Sequence, residues 1–235
     1  MKRTKIIATL GPATNNKDVL KKILQEGVDV IRLNGSHYRS KDNIKEDVEL
    51  IRETAKELNK HTAIFFDLQG PKIRIGKFEK DGVILETEQS FIIKSDKDVM
   101  GTVDHCGLTT PEIIHDLNEG EPVFIDDGNV RLFIESIQDG DLHCRVTQGG
   151  KISNHKGVNL PLSNISVSAI TEKDKEDVQT AIEYGVDYIA LSFVSVAEDV
   201  KELREIIHAS KAPHIGIISK IERRSAVENV IEIAE

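Results

Sequence analysis

EGVDVIRLN, Glu26–Asn34, recurs downstream as YGVDYIALS, Tyr184–Ser192. In both copies a glycine closes a helical pattern and an apolar run follows it, as in a helix that leads into a buried strand. Upstream of the second copy, Thr171 and Asp174 form a capping box, which marks the start of its helix. Repeated helix–glycine–strand units predict a parallel α/β architecture, and the repeat favours a barrel over an irregular sheet.

Five apolar runs have the character of barrel strands. They begin near Lys5, Val28, Thr62, Val186 and Ile215. Helices are expected at about Lys173–Tyr184, Ala197–Ser210 and Arg223–Glu235. A closed barrel of this class has eight strands, so five leave an open parallel edge, which proteins normally cover or complete. We therefore expect either a piece of a longer polypeptide or a sheet that another chain completes.

Between the two copies the pattern changes to short alternating runs such as GVILETE and NVRLFIES. Asp-Gly pairs at Asp81, Asp127 and Asp139 separate these runs, and period-two alternation with Asp-Gly turns is typical of hairpins. An inserted all-β module is therefore predicted. The expected domains are residues 1–68 for the first part of a (β/α)8 TIM-type barrel, 69–159 for the insertion and 160–235 for the incomplete continuation of the barrel.

Composition limits the partners. The chain has 235 residues, 39% of them apolar, and a net charge of −9 from 31 basic and 40 acidic side chains. Nucleic acid and anionic membranes favour basic surfaces, so neither is expected as a partner. No apolar run is long enough to span a bilayer, and Cys106 and Cys144 are too few for a disulfide scaffold. A cytoplasmic protein is predicted.

Polar or charged side chains lie at the ends of four successive strands. In AIFFDLQGPKIRIG, Ala63–Gly76, a buried run stops at Asp67, and two cations follow closely. The carboxyl ends of parallel strands are where ligands bind. The residues expected there are Arg32, Asn34, Asp67, Arg74, Ser192, Lys220 and Glu222. A single cation at a strand end is commonly a surface ion pair, but such a cluster suits phosphoryl transfer with a divalent metal.

Eight segments, in order and at suitable spacing, carry a family resemblance. They are TKIIATLGPA (Thr4–Ala13), VIRLNGSH (Val30–His37), FDLQGPKIRIG (Phe66–Gly76), IDDG (Ile125–Gly128), KGVNLP (Lys156–Pro161), TEKD (Thr171–Asp174), LSFV (Leu191–Val194) and IISKIE (Ile217–Glu222). The chain resembles the N-terminal portion of pyruvate kinase. That family has a (β/α)8 barrel with a small β-barrel lid domain inserted after the third strand, in agreement with the periodicity.

The resemblance implies roles for individual residues. Lys220 would contact the transferring phosphoryl group and stabilise the enolate of pyruvate, and Arg32 would contact phosphates. Glu222 would be one of two carboxylate ligands of an essential Mg²⁺ or Mn²⁺. The monovalent-cation ligands would be Asn34, Ser36 and Asp67, and the nucleotide-phosphate contacts would be His37, Arg74 and Lys156. For Asp126 and Asp127 a hairpin turn is as good an explanation as catalysis.

Several positions depart from the family pattern. Leu68, Gln69 and Lys72 replace the usual Thr-Lys and glutamate, as in potassium-independent members, where the lysine ammonium substitutes for the potassium ion. Potassium is therefore not expected to be required. Gly35 and Tyr38 replace a phenylalanine and a glycine around Ser-His, Ser195 and Val196 replace a basic pair, and Ser168 replaces a proline. The family's second metal-binding aspartate lies in a GDLG segment beyond Glu235.

The resemblance implies a glycolytic phosphotransferase that makes pyruvate and ATP from phosphoenolpyruvate and ADP. Two alternatives stay open at this point: a non-catalytic relative that serves as a binding or regulatory module, and a barrel lyase or aldolase that uses pyruvate or phosphoenolpyruvate. The open edge further implies a homo-oligomer or a partner segment that completes the barrel.

Overall fold

A computed structural model describes residues 3–38, 40–163 and 165–235. These residues fall into two compact units: one within Met1–Pro71 and Ser168–Glu235, hereafter the α/β unit, and one within Lys72–Val167, hereafter the β unit. Residues just after the last strand of the β unit still belong to it, because Leu160, Ile165 and Val167 pack against its core.

The first segment of the α/β unit alternates strands and helices: β1 Ile7–Thr9, α1 Lys17–Gln25, β2 Val30–Asn34, α2 Lys41–Glu57 and β3 Ala63–Asp67. Asn16 caps α1 by accepting a hydrogen bond from the Val19 N–H at 3.0 Å. The α2 helix is absent from the sequence-based prediction. Its buried residues Ile44, Val48, Ile51 and Ala55 follow the spacing of one helical face, which is the signal that could have found it.

The β unit consists mainly of strands: β4 Val83–Leu85, β5 Ser90–Lys94, β6 His105–Gly107, β7 Pro122–Ile125, β8 Val130–Gln138, β9 Asp141–Gln148, β10 Gly150–Ile152 and β11 Val158–Asn159. They form a six-stranded sheet in the order β11-β7-β8-β9-β5-β6 and a two-stranded β10-β4 ribbon. The β8–β9 hairpin turns at Asp139 and Gly140, both with positive φ, which confirms the predicted Asp-Gly turn.

The second segment of the α/β unit contains α3 Glu172–Glu183, β12 Tyr188–Leu191, α4 Ala197–Ala209, β13 Gly216–Ser219, α5 Arg224–Glu228 and α6 Val230–Ala234. The capping box of Thr171 and Asp174 is confirmed at the start of α3. The prediction of one helix over Arg223–Glu235 is wrong. The helix is interrupted at Asn229, whose side-chain amide donates to the Ser195 carbonyl oxygen at 3.0 Å. None of the helices within the described ranges has both the length and the apolar character needed to cross a bilayer.

The five predicted barrel strands are confirmed. They form one parallel sheet in the order β1-β2-β3-β12-β13. Alternate side chains, such as those of Leu33, Phe66 and Ile189, are fully buried against the helices. On the opposite face Ile7, Tyr188 and Ile218 are 56%, 42% and 36% exposed. The helices therefore cover one face of the sheet, as in the outer layer of a barrel.

The repeated Gly-Val-Asp has a structural reason. Asp29 accepts a hydrogen bond from the Ile6 N–H at 2.8 Å, and Asp187 accepts one from the Ile64 N–H at 2.6 Å. In each copy the aspartate thus satisfies a backbone donor near the start of the neighbouring strand. The repeat therefore fixes where adjacent parallel strands begin, in addition to preserving the apolar pattern.

Candidate functional site

The carboxyl ends of β2, β3, β12 and β13 lie side by side, because these strands are parallel neighbours. Asn34 pairs in register with Asp67, and Asp67 pairs with Ala190 two residues before Ser192. The sheet therefore brings residues that are more than a hundred positions apart in the chain to one edge, as the strand-end pattern predicts.

Asp67 is the centre of this edge, and only 3% of its surface is exposed. Arg32 Nε donates a hydrogen bond to Asp67 Oδ2 at 2.7 Å, and Arg32 Nη2 lies 2.5 Å from the same oxygen in an ion pair. On the other oxygen, Lys220 Nζ lies 3.2 Å from Oδ1. A buried carboxylate requires such compensation, so the two cations and Asp67 form one mutually dependent cluster.

Lys220 makes two further contacts. Its Nζ donates to Ser192 Oγ at 2.7 Å and lies 3.2 Å from Glu222 Oε1, while the Ser192 hydroxyl donates to the Leu68 carbonyl oxygen at 2.7 Å. The apolar run HIGIISKI, His214–Ile221, predicts a strand over its whole length, but β13 ends at Ser219. Lys220 and Glu222 therefore come together in the irregular segment after the strand rather than by strand alternation.

Glu222 is the candidate divalent-metal ligand. Its Oε2 accepts a hydrogen bond from the Phe193 N–H at 3.2 Å, and its side chain is 38% exposed. An accessible carboxylate oxygen is the donor type that magnesium prefers, so Glu222 fits the role of one ligand. Within residues 3–38, 40–163 and 165–235, no group of three or more acidic, histidine or cysteine side chains could hold a metal ion by itself.

The loop after β2 holds the other predicted ligands. Asn34 Oδ1 accepts from the Ser36 N–H at 3.2 Å, and Asn34 Nδ2 lies 3.4 Å from His37 Nε2. Gly35 in this loop is buried, and a Cβ there would lie 2.7 Å from the Asp67 carbonyl oxygen. In this structure a side chain at position 35 would therefore collide with the end of β3.

Tyr38 also differs from the family pattern and follows the same short loop. Its ring lies 5.7 Å from that of Phe66, and its hydroxyl donates to Asp47 Oδ2 at 2.5 Å. Asn15 Nδ2 donates to the other oxygen of Asp47 at 2.7 Å. Burial, and then the hydrogen bond and the charge of Asp47, raise the pKa of Tyr38. Tyr38, Asp47, Asn15 and His37 contribute to the lining of a cavity of about 510 Å³.

Other candidate residues belong to the β unit, namely Lys72, Arg74, Asp126, Asp127 and Lys156. Arg74 Nη1 donates to the His155 carbonyl oxygen at 2.6 Å, and Lys156 Nζ lies 2.8 Å from Asp126 Oδ1. Hydrogen bonds from Lys156 and Asn129 lower the pKa of Asp126. Asp126 and Asp127 both have positive φ, as expected of the predicted turn.

Two contacts at the strand ends were missed by the sequence-based prediction. Lys173 Nζ donates to the Gly35 carbonyl oxygen at 3.3 Å, a contact that the TEKD segment does not predict. Phe193, with φ of +58°, joins Glu222 to the end of β12. Lys173 could have been recognised as a candidate, because it lies in the first turn of a helix that follows a loop. A positive φ at a phenylalanine, in contrast, leaves no signal in the sequence.

Comparison with known proteins identifies relatives over the whole chain. The family model described as "Pyruvate kinase, barrel domain" matches residues 1–235. The chain is similar to a pyruvate kinase of Methylorubrum extorquens, with 39% identity over 234 residues, and to one of Corynebacterium efficiens, with 40% identity over 229 residues. These matches cover 100% and 96% of this chain and 48% and 47% of those proteins.

A crystal structure of a pyruvate kinase from Cryptosporidium parvum is similar in fold. The TM-score is 0.92 at 33% sequence identity, and the match covers 98% of this chain and 48% of the other. The chain thus spans about half the length of the relatives that it matches.

Proposed function

The chain belongs to the pyruvate kinase family, and on that premise we propose that the protein transfers the phosphoryl group of phosphoenolpyruvate to ADP, which gives pyruvate and ATP. The observation that carries the proposal is the cluster of Arg32, Asp67 and Lys220 at the carboxyl ends of three strands. Fixed cations at a strand edge suit a substrate that carries both a phosphate and a carboxylate.

Lys220 and Arg32 supply the positive charge for this reaction. The Lys220 ammonium is held by Asp67, Ser192 and Glu222, so it needs no reorganisation when negative charge develops nearby. Its proposed role is to stabilise the enolate of pyruvate as the phosphoryl group leaves. Arg32, fixed by both Asp67 and the Thr9 hydroxyl, is proposed to hold phosphate oxygens.

Glu222 is the proposed carboxylate ligand for Mg²⁺ or Mn²⁺. When bound, such a metal neutralises charge on the phosphoryl and carboxylate oxygens of the substrate. The chain's own contribution is to orient Glu222, through the Phe193 N–H on one oxygen and Lys220 on the other.

For the nucleotide we propose His37, Arg74 and Lys156 as phosphate contacts. The cavity beside His37 supports a binding position next to that residue. Asn34, Ser36 and Asp67 are the proposed monovalent-cation pocket, and Lys72 is the proposed substitute for potassium. The two cations already on Asp67 support the view that positive charge is built into this site.

The proposed setting is a cytoplasmic glycolytic enzyme. The apolar side chains on the uncovered face of the sheet support an assembly in which a further segment or a second copy completes the barrel. Ile7, Tyr188 and Ile218 are the side chains concerned.

A lactate-dehydrogenase-coupled assay of the whole natural protein tests the proposal. Pyruvate release from phosphoenolpyruvate should require both ADP and a divalent metal. Lys220→Gln should lower kcat by about a hundredfold or more, because one fixed charge at a developing anion has that effect. Lys201→Gln is the matched control, since Lys201 is exposed and, within the part of the chain that the structure describes, forms its ion pair with the exposed Glu198.

The same assay distinguishes the alternatives. Pyruvate release without ADP would replace the proposal with a lyase or aldolase. No release under any condition, from protein that binds phosphoenolpyruvate, would replace it with a non-catalytic binding module.

A further inference from the structure

Phe193 has an unusual backbone at a critical position. Its φ of +58° is in the left-handed region, which a bulky residue adopts only when surrounding contacts impose it. In this conformation its N–H points to Glu222 Oε2 at 3.2 Å. The orientation of the Glu222 carboxylate thus depends on whatever keeps Phe193 in place.

Two groups hold the Phe193 ring. A Cβ added to Gly70 would lie 2.8 Å from Phe193 Cδ2, so the Gly70 backbone is packed directly against the edge of the ring. Over its face, the guanidinium carbon of Arg223 lies 5.3 Å from the ring centroid. This distance is within the range of a cation–π interaction, which is stronger when the cation is partly removed from water.

Arg223 is itself anchored. Its Nη1 donates to Ser195 Oγ at 3.3 Å, and the Ser195 carbonyl oxygen accepts from Asn229 Nδ2 at 3.0 Å. The Ser195 N–H donates to Asp199 Oδ2 at 2.7 Å. The guanidinium therefore lies between a fixed loop and the ring, where a planar group can contact both.

We propose that Arg223 is a positioning residue, which holds the Glu222 carboxylate in its metal-binding orientation by fixing Phe193. The proposal rests on the proposed function, in which Glu222 is a metal ligand. Arg223 acts through the shape and planarity of its guanidinium, in addition to its charge. Lysine at this position would keep the charge, but its ammonium group could not stack on the Phe193 ring and bond Ser195 at the same time.

The decisive variant is therefore Arg223→Lys, with Arg224→Lys as the matched control. Arg224 is the next residue and its side chain is 68% exposed, with a hydrogen bond to Glu228. Both variants keep the net charge, so a difference between them reports on geometry. Loss of a positive charge near a metal ligand would tighten metal binding, whereas loss of positioning should weaken it. Weaker binding in Arg223→Lys therefore could not be explained by a reduced charge.

Two measurements on the whole natural protein test the proposal. The first is Mn²⁺ binding without substrates, followed by electron paramagnetic resonance of the free ion. Arg223→Lys should raise the Kd about fivefold, which corresponds to the loss of one cation–π contact, whereas Arg224→Lys should stay within about twofold. Kinetically, KM for Mn²⁺ should rise while kcat at saturating Mn²⁺ changes little.

The second measurement is hydrogen exchange at the Phe193 amide in metal-free protein, which should become about fivefold faster in Arg223→Lys. Phe193→Leu should reproduce both effects. Unchanged exchange and unchanged Mn²⁺ affinity in Arg223→Lys would overturn the positioning role. The exchange measurement needs no activity, so it tests the clamp on Phe193 even if the protein transfers no phosphoryl group.

Discussion

Asp67 at the end of β3 binds the guanidinium of Arg32 on β2 through one oxygen, which accepts a hydrogen bond from Nε at 2.7 Å and lies 2.5 Å from Nη2. Lys220 occupies the other oxygen at 3.2 Å. The side chains of Arg32 and Lys220 are 32% and 29% exposed, whereas that of Asp67 is only 4% exposed. The buried carboxylate is therefore what allows two partly buried cations to share the strand edge.

Asp67→Asn should destabilise the protein by about 1–3 kcal/mol, because the two cations would lose their common charged partner. The free energy of unfolding from urea titration measures this. Glu228→Gln is the control, since Glu228 pairs with Arg224 at the surface and its loss should cost at most about 1 kcal/mol. Equal effects of the two substitutions would mean that Asp67 does not hold the cluster together.

Potassium should not be required for activity. We expect the coupled assay to give the same kcat in potassium chloride and in tetramethylammonium chloride of equal ionic strength, because in our proposal Lys72 supplies the charge of a bound potassium ion. Lys72→Gln should lower kcat without potassium, and added potassium should restore part of it.

The control for this comparison is Lys77→Gln, at an exposed position nearby in sequence. It should leave both the activity and its salt response unchanged. A strict potassium requirement in the unmodified protein would refute the prediction.

The elements that the sequence predicts best are those with a local signal. The strand at Ile31 and Leu33 follows from an apolar run after a glycine, and the start of α3 follows from the capping box of Thr171 and Asp174. The strand-end position of Asp67 also follows, because a parallel sheet collects the carboxyl ends of its strands.

Other features depend on contacts between distant segments and leave no local pattern. Asn229 interrupts the last predicted helix because it bonds Ser195, more than thirty residues away in sequence. The left-handed backbone of Phe193 depends on Gly70 and Arg223, which come from two other parts of the chain. Neither could be inferred from propensity, since propensity describes only neighbours along the sequence.

Gly35→Ala should cost about 1–3 kcal/mol of stability, because the added methyl group would overlap the Asp67 carbonyl oxygen and the Phe66 ring. The free energy of unfolding measures the effect. Gly11→Ala is the control, as no atom lies within 4 Å of a Cβ placed there. Equal stability of Gly35→Ala and Gly11→Ala would contradict the close approach of Gly35 to the end of β3.

Tyr38 should make stability depend on pH in the alkaline range. Burial, together with Asp47, raises the pKa of Tyr38 above its unfolded value of about 10. Its contribution is therefore complete below about pH 10 and is lost as the pH rises toward the folded pKa, because only the unfolded chain releases the proton.

The difference in free energy of unfolding between the unmodified protein and Tyr38→Phe should be constant from pH 8 to about pH 10. Above that it should change by up to about 1.4 kcal/mol per pH unit, in the direction that favours the variant. Absorbance at 295 nm gives an independent reading, since Tyr38→Phe should remove a phenol whose pKa is raised by burial and by Asp47. Asp47→Asn should move that ionisation to lower pH, because it removes a hydrogen bond and a charge that hold the proton. A pH-independent difference between the unmodified protein and Tyr38→Phe up to pH 11 would contradict the buried Tyr38–Asp47 pair.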